Sequence, residues 1–293
     1  MLSAPVALAA FAVAGIAVGV VTAGRTRALG VALALTTLAL PLLVEPLYAR
    51  VLLAFGCMVF VVRAIDLARD SRQWPTVDRV WLMFAVFDVR ARRRIPRSFE
   101  LRHFATFIAY ATLGALGLAL VVRVAPAVGG ASGLTLRWLG GAVLVYAAAD
   151  AANALTVGVL AAGGLRVPTQ HRSPIRAHTV RQFWGEHWNL NVQAWFRRHA
   201  FLPLARRGHA RLGVAAGFVT SALLHFYLVA APIGVRWALP MAGFFLAQGL
   251  IAVGETRVQV ARWPRAAQHV WTVCAVLGCS PLFVEPMLRV LSL

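Results

Sequence analysis

His225 is the side chain of this chain best suited to proton chemistry, because it lies well inside a long apolar stretch while the other histidines do not. The stretch reads Thr220-Ser221-Ala222-Leu223-Leu224-His225-Phe226-Tyr227-Leu228, and helical spacing puts Ser221, Leu224 and His225 on one face. An imidazole kept neutral among apolar groups can accept a proton at neutral pH. For an isolated histidine of this kind, packing or hydrogen bonding ranks ahead of catalysis, so its surroundings decide. Other polar groups inside apolar stretches are few, and each is a candidate site because burying it costs free energy. Asp150 and Asn153 stand one turn apart in the small-residue run 147–154, where close helix packing is easy. Asp150 either pairs across that interface or lines a path for substrate. Arg63 and Asp66 are also one turn apart and can satisfy each other, a structural role.

The connection ahead of His225 is unlike the rest of the chain. Residues 166–211 are long, aromatic and polar together, with five histidines and three tryptophans between Gln170 and Ala210. A loop of that length is functional or disordered, and its aromatic content argues against disorder. Its centre runs from Arg181 through Trp184, Gly185, His187, Trp188, Asn189, Gln193, Arg197 and Arg198 to Leu204. Trp184, Trp188 and Trp195 recur at four and seven, one face of an amphipathic helix at a membrane surface.

The elements that must carry these groups follow from composition. Of 293 residues 60% are hydrophobic and 13% charged, which excludes a single water-soluble globule. Every one of the 29 basic residues is arginine, against 10 acids, and the arginines cluster between apolar runs. A nucleic-acid binder would spread them over a polar fold; a polytopic membrane protein places them this way. A bilayer core needs about 20 apolar residues per helix. Eight stretches qualify, at 4–23, 28–46, 48–68, 104–123, 137–163, 211–231, 236–254 and 268–291. With eight spans, alternate connections hold 23 arginines, the opposite side holds five (Arg50, Arg123, Arg137, Arg236, Arg289), and Arg63 lies within a span. The arginine-rich side is cytoplasmic by the positive-inside rule, so the 166–211 connection faces the cytoplasm and both termini face away from it. No basic stretch precedes the first apolar run, so it is expected to stay as a helix. The apolar run 80–87 is too short to cross and is flanked by arginines, which predicts an amphipathic interfacial helix. The fold class expected is all-α, with about eight membrane helices forming one embedded domain over 1–293.

On the Phe183-Trp184-Gly185-x-x-Trp188-Asn189 run, introduced by Pro174 and Thr179-Val180-Arg181-Gln182, the sequence resembles the membrane-bound O-acyltransferase superfamily and its wax synthase branch. The continuation through Val192 and Arg198-His199-Ala200-Phe201 to Pro203 is also similar to diacylglycerol and sterol acyltransferases. Some 36 residues after Asn189, Ser221-Ala222-Leu223-Leu224-His225 looks like the family's helix with its catalytic histidine. The resemblance covers about residues 174–229. It implies a tunnel fold that moves an acyl group from a thioester to a hydroxyl, with His225 as general base and Asn189 in the second signature. A hydroxyl must lose its proton as it attacks, which a histidine within about 3 Å allows. The tetrahedral oxyanion needs a neutral donor, for which the amide of Asn189 or Gln193 is suited.

The remaining site assignments belong to the same expectation. Substrate contacts fall to Trp184, Gly185, His187, Trp188, Gln193, Ser221, Tyr227 and Asp150. Most arginines of the loop serve topology and contact with anionic lipid, while Arg181, Arg197 and Arg198 are expected on the phosphates of acyl-CoA. Acyl-CoA enters as co-substrate, with no cofactor and no metal. Related enzymes often carry an acid straight after the histidine; this chain has Phe226, with Tyr227, Glu186 or Asp150 as stand-ins. Many wax synthases have histidine where this chain has Asn189. His171, His178, His199 and His209 are discounted as solvated or lipid-facing, without zinc spacing. Cys57, Cys274 and Cys279 match no metal motif and read as packing residues. No Gly-rich phosphate loop or Gly-x-Ser-x-Gly elbow occurs. The partners expected are acyl-CoA, a lipid alcohol and membrane lipids, with no nucleic acid. The acceptor alternatives are diacylglycerol, a sterol-like or natural-product alcohol, or a glycan; the alternative class is a lipid carrier or transporter. The absence of lysine points to a GC-rich genome, hence a bacterial inner membrane.

Overall fold

The computed structural model describes every residue of 1–293 except Val86, which lies in the predicted interfacial run 80–87. The protein is all-α apart from one two-residue ribbon, and it is an integral multi-pass membrane protein. Among the described residues, seven helical stretches are long and apolar enough to cross a bilayer, or eight if a bent pair is one span. They are α1 (Ala4–Val21), Gly24–Leu43 built on α2 (Arg27–Thr37), α3 (Leu47–Arg69), Leu101–Val128 built on α5 (Leu101–Ala119) and α6 (Ala125–Val128), α7 (Gly130–Ala162), α11 (Ala210–Ile233) and α12 (Val235–Arg257). Prolines mark several starts: Pro46 caps α3, Pro75 caps α4 (Thr76–Phe84) and Pro264 caps α13 (Arg265–Cys279). Proline suits the entry to a helix, where its missing N–H costs nothing.

Two differences from the sequence expectation have a local cause. The eighth span, predicted as one helix over 268–291, is bent by 45° between α13 and α14 (Pro281–Val290). Pro281 cannot donate back into α13, so the helix restarts there. The span predicted at 137–163 starts seven residues earlier, because α7 begins at Gly130 directly after Gly129 at φ 67°.

Contacts divide the chain into two compact units, 1–91 with 224–239, and 92–223 with 240–293. In the first, Phe11, Phe60 and Phe84 form an aromatic knot: Phe11 stacks on Phe60 at 4.5 Å, and Phe84 meets both edge-on at 6.0 and 5.6 Å. Helix α4 is held to α1 by Arg79, whose Nε donates to the Gly19 carbonyl at 2.9 Å. Gly19 is required here, since a Cβ would sit 2.8 Å from the Val80 backbone. Asp66 accepts from Arg90, which also bonds Asp88 at 2.8 Å and Asp70 at 3.3 Å.

In the second unit α5 and α7 pack closely, and a Cβ on Gly117 would meet the Gly140 carbonyl at 2.7 Å. The small residues of α7 thus serve the close helix approach expected of them. At one end of this pair, β1 (Arg93–Arg94) and β2 (Leu165–Arg166) form an antiparallel ribbon with Arg93 opposite Arg166. Two of the arginine-rich connections therefore meet at the same end of the α5–α7 pair.

Candidate functional site

The signature segment is built from short pieces. Helix α8 (Val180–Gln182) runs into a π-turn at Phe183–His187, and α9 (Leu190–Phe196) runs into another at Arg197–Phe201, followed by α10 (Leu202–Ala205). The amphipathic helix expected to carry all three tryptophans is broken: Trp188 is extended and Asn189 is left-handed at φ 42°. The cause is Asn189 itself, which tolerates the left-handed region and caps the next helix, its Oδ1 accepting from Val192 N at 3.4 Å. Such π-turns are uncommon and tend to occur at functional sites.

The start of α8 satisfies all its backbone donors. Thr179 Oγ1 accepts from Gln182 N at 2.9 Å, and Gln182 Oε1 accepts from His178 N at 2.8 Å, a relative of the capping box. The two donors left, Val180 N and Arg181 N, go to the Glu255 carboxylate at 2.8 and 3.1 Å. That carboxylate also accepts from Trp271 Nε1 at 2.9 Å. One residue type at one place thus answers the positive helix end and the free N–H groups together.

Trp184 is placed by a second polar contact, Nε1 donating to Gln248 Oε1 at 3.0 Å, while Gln248 Nε2 donates to the Ala275 carbonyl at 3.0 Å. Its ring meets Phe218, Phe244 and Phe245 within 6.3 Å. Glu255 is 4% exposed and Gln248 fully buried. Neither was singled out from the sequence, although both are polar groups seven apart in an apolar span, the signal that flags such residues.

Trp188 faces a different group. Its ring lies 5.8 Å from Phe183, 6.1 Å from Tyr146 and 4.6 Å from His171. Nδ1 of His171 is 3.1 Å from Asp150 Oδ1. Asn153, one turn on from Asp150, accepts from Gln170 N at 2.8 Å and donates to Thr169 Oγ1 at 3.1 Å. Asp150 thus stands within ion-pair distance of a histidine from the loop, without a hydrogen bond from its Nδ1. His171 corrects the expectation of a solvated or lipid-facing ring, since its side chain is 6% exposed. The discount failed because pairing with a residue 21 positions away leaves no periodic trace.

Of the remaining predicted residues, Gly185 has open space where a Cβ would be, and with Arg181 it lines a pocket of about 760 Å³. His178, Gln182, Glu186, Glu255 and Arg262 also line it. His187 Nδ1 contacts the Arg172 carbonyl. Arg181, Arg197 and Arg198 are exposed, and Gln193 and Asn189 are half-buried. Ser221 is buried in the second unit, whereas His225 and Tyr227 lie on the part of α11 that belongs to the first. Tyr227 Oη donates to the Leu38 carbonyl at 3.0 Å within that unit. Among the described residues no group of three or more His, Cys, Asp or Glu is placed to hold a metal ion.

Residues 167–247 match the family profile described as membrane bound O-acyl transferase. The chain is 35% identical to a probable long-chain-alcohol O-fatty-acyltransferase 3 of Arabidopsis thaliana, over 43% of this chain and 41% of the relative. It is 34% identical to the Arabidopsis protein numbered 7 of the same description, over 34% and 33%. With human diacylglycerol O-acyltransferase 1 the identity is 33% over 23% of this chain and 16% of the relative. The chain spans about two fifths or less of the length of these relatives.

Proposed function

We propose that the chain, whose residues 167–247 match the membrane bound O-acyl transferase family, moves a long-chain acyl group from acyl-CoA to the hydroxyl of a lipid alcohol. The observation that carries the reading is the match over 167–247, which encloses both the Trp184–Asn189 turn and His225. In this reaction His225 takes the proton of the acceptor hydroxyl as its oxygen attacks the thioester carbonyl carbon. The C–S bond of the tetrahedral intermediate then breaks, and the thiolate of CoA takes the proton back from the imidazolium. With Oδ1 of Asn189 engaged by Val192 N, its amide NH₂ is the half suited to donate to the oxyanion. Arg181, Arg197 and Arg198, exposed on the signature segment, suit the phosphates of CoA.

The reading includes a cytoplasmic signature segment, where acyl-CoA is found, and a bacterial inner membrane. The ribbon that pairs Arg93 with Arg166 supports two arginine-rich connections lying on one side. A fatty alcohol is the acceptor favoured by the two plant relatives; diacylglycerol is the second reading, favoured by the match to diacylglycerol O-acyltransferase 1.

The test is ester formation by membranes carrying the full chain, given labelled palmitoyl-CoA and equal amounts of hexadecanol and diacylglycerol. Wax ester is the expected product, and His225→Ala is expected to lower its rate by about 10²–10⁴-fold. Triacylglycerol as the product moves the acceptor, and an unchanged rate in His225→Ala removes the base mechanism.

A further inference from the structure

We propose that Asp150 and His171 form a positioning pair that holds the Trp188–Asn189 turn in place. Three layers of contact converge on that turn in the second unit. The first is backbone: Leu190 N donates to the Gln170 carbonyl at 2.8 Å, and Arg172 N donates to the His187 carbonyl at 2.9 Å. Residues 170–172 and 187–190 therefore clasp each other, with His171 at the centre of the clasp. The second is aromatic, the His171 ring lying against Trp188 with centroids 4.6 Å apart and an interplanar angle of 35°. The third anchors the clasp to α7, through Asp150 at His171 and Asn153 at Thr169 and Gln170.

The polar chemistry of the pair explains why a carboxylate and an imidazole are used there. Asp150 is 7% exposed, and a buried carboxylate needs a charged or hydrogen-bonding partner. His171 Nδ1 stands 3.1 Å from Oδ1 but off hydrogen-bond alignment, so Nδ1 and Asp150 Oδ2 remain the buried polar atoms owed a partner. The imidazole that carries Nδ1 is also the ring that lies against Trp188, so one side chain faces both the carboxylate and the indole. Trp188 is fixed on its other faces by Phe183 and Tyr146, so motion of His171 passes to the turn and to Asn189, the next residue. Asn189 tolerates its left-handed backbone, but the direction of its amide is set by the turn it belongs to, and Trp188 and Leu190 on either side of it are held by the clasp. The consequence for ester formation rests on the acyltransferase reading; the holding of the turn does not.

The experiment uses the full chain in nanodiscs, with Asp150→Asn, His171→Ala and His171→Phe. Amide exchange in the peptide covering 187–192 is expected to rise about tenfold or more in His171→Ala and Asp150→Asn, as local opening becomes easier, with α5 and α3 peptides unchanged. His171→Phe keeps a ring on Trp188 but loses the contact with Asp150, and its exchange is expected to lie between that of the parent and that of His171→Ala. In the palmitoyl-CoA assay, kcat is expected to fall about tenfold in His171→Ala, with KM for the donor changed by less than about twofold. The double variant Asp150→Asn/His171→Ala should be no worse than His171→Ala, since residues acting as a unit are not additive. Unchanged exchange in 187–192 overturns the proposal, as does a rise spread over the whole chain with kcat and KM impaired together. If the parent forms no ester with any alcohol, the acyltransferase reading falls while the exchange data still judge the pair.

Discussion

The two units fasten their irregular segments by different physics. In the first, the segment after α3 is drawn in by charge: Arg90, its side chain 8% exposed, bonds Asp66 at the end of α3 together with Asp70 and Asp88. In the second, the signature segment is stitched by separate contacts, Glu255 on backbone donors, Gln248 on Trp184, and Asp150 beside His171. One guanidinium serving three carboxylates concentrates the stability in a single side chain. Several neutral or singly charged contacts spread it, and each also fixes a direction, which the proposed role of the segment requires. The comparison teaches that the charged clamp should fail as a whole while the stitched segment should fail in pieces.

The largest effect expected is in the clamp. Arg90→Met removes the guanidinium that Asp66, Asp70 and Asp88 share and should cost about 3–5 kcal/mol, read as a lowered thermal midpoint in detergent. A loss no larger than that of any single contact in the second unit would break the comparison. Acid should act on the same clamp. Burial pushes the Asp70 carboxyl up, but hydrogen bonds from Arg72 and Trp74 outweigh it and bring it down to about 2. Asp88 is lowered in the same way, burial being outweighed by Arg90. Both carboxylates sit lower when folded than their unfolded value of about 3.9, so their stabilisation is complete above that value and is lost as pH falls towards 2. Asp70→Asn should therefore be less stable than the parent at pH 6, with the gap closing between about pH 4 and 2, followed by calorimetry.

Smaller, graded effects are expected in the second unit. Glu255→Gln removes the charge facing Val180 N and Arg181 N and should cost about 1–3 kcal/mol. Faster amide exchange confined to 178–184 would mark that loss as local. Trp184→Phe deletes one bond to Gln248, worth about 0.5–1.5 kcal/mol, and serves as the smallest step of the series in the same thermal assay. A global collapse from either substitution would equate the two units.

The depth to which the sequence could be read differs between fold and site. Helix spans were legible because hydropathy and length act within each segment, and arginine clusters marked the connections. Within the site, the tryptophan spacing misled, because periodicity assumes one unbroken helix while Asn189 at φ 42° interrupts it. Gln248 and Glu255 were legible in principle as polar groups in an apolar span, whereas the pairing of Asp150 with His171 and of Asp66 with Arg90 was not. Any of several arginines or histidines could have met those carboxylates on composition alone.

By itself, the sequence determined that this protein lives in a membrane, how many spans it offers and which connections carry the positive charge, since each follows from transfer free energies summed along a segment. It also carried the signature residues, from Trp184 to Asn189 and at His225. Tertiary structure alone decided the partners: Glu255 under the first turn of α8, His171 against Trp188, and Arg90 among three aspartates. Apart from Arg90 and Asp88, two positions apart, those contacts join residues 17 to 75 positions apart, and which donor reaches which acceptor depends on how helices pack, which no local pattern encodes.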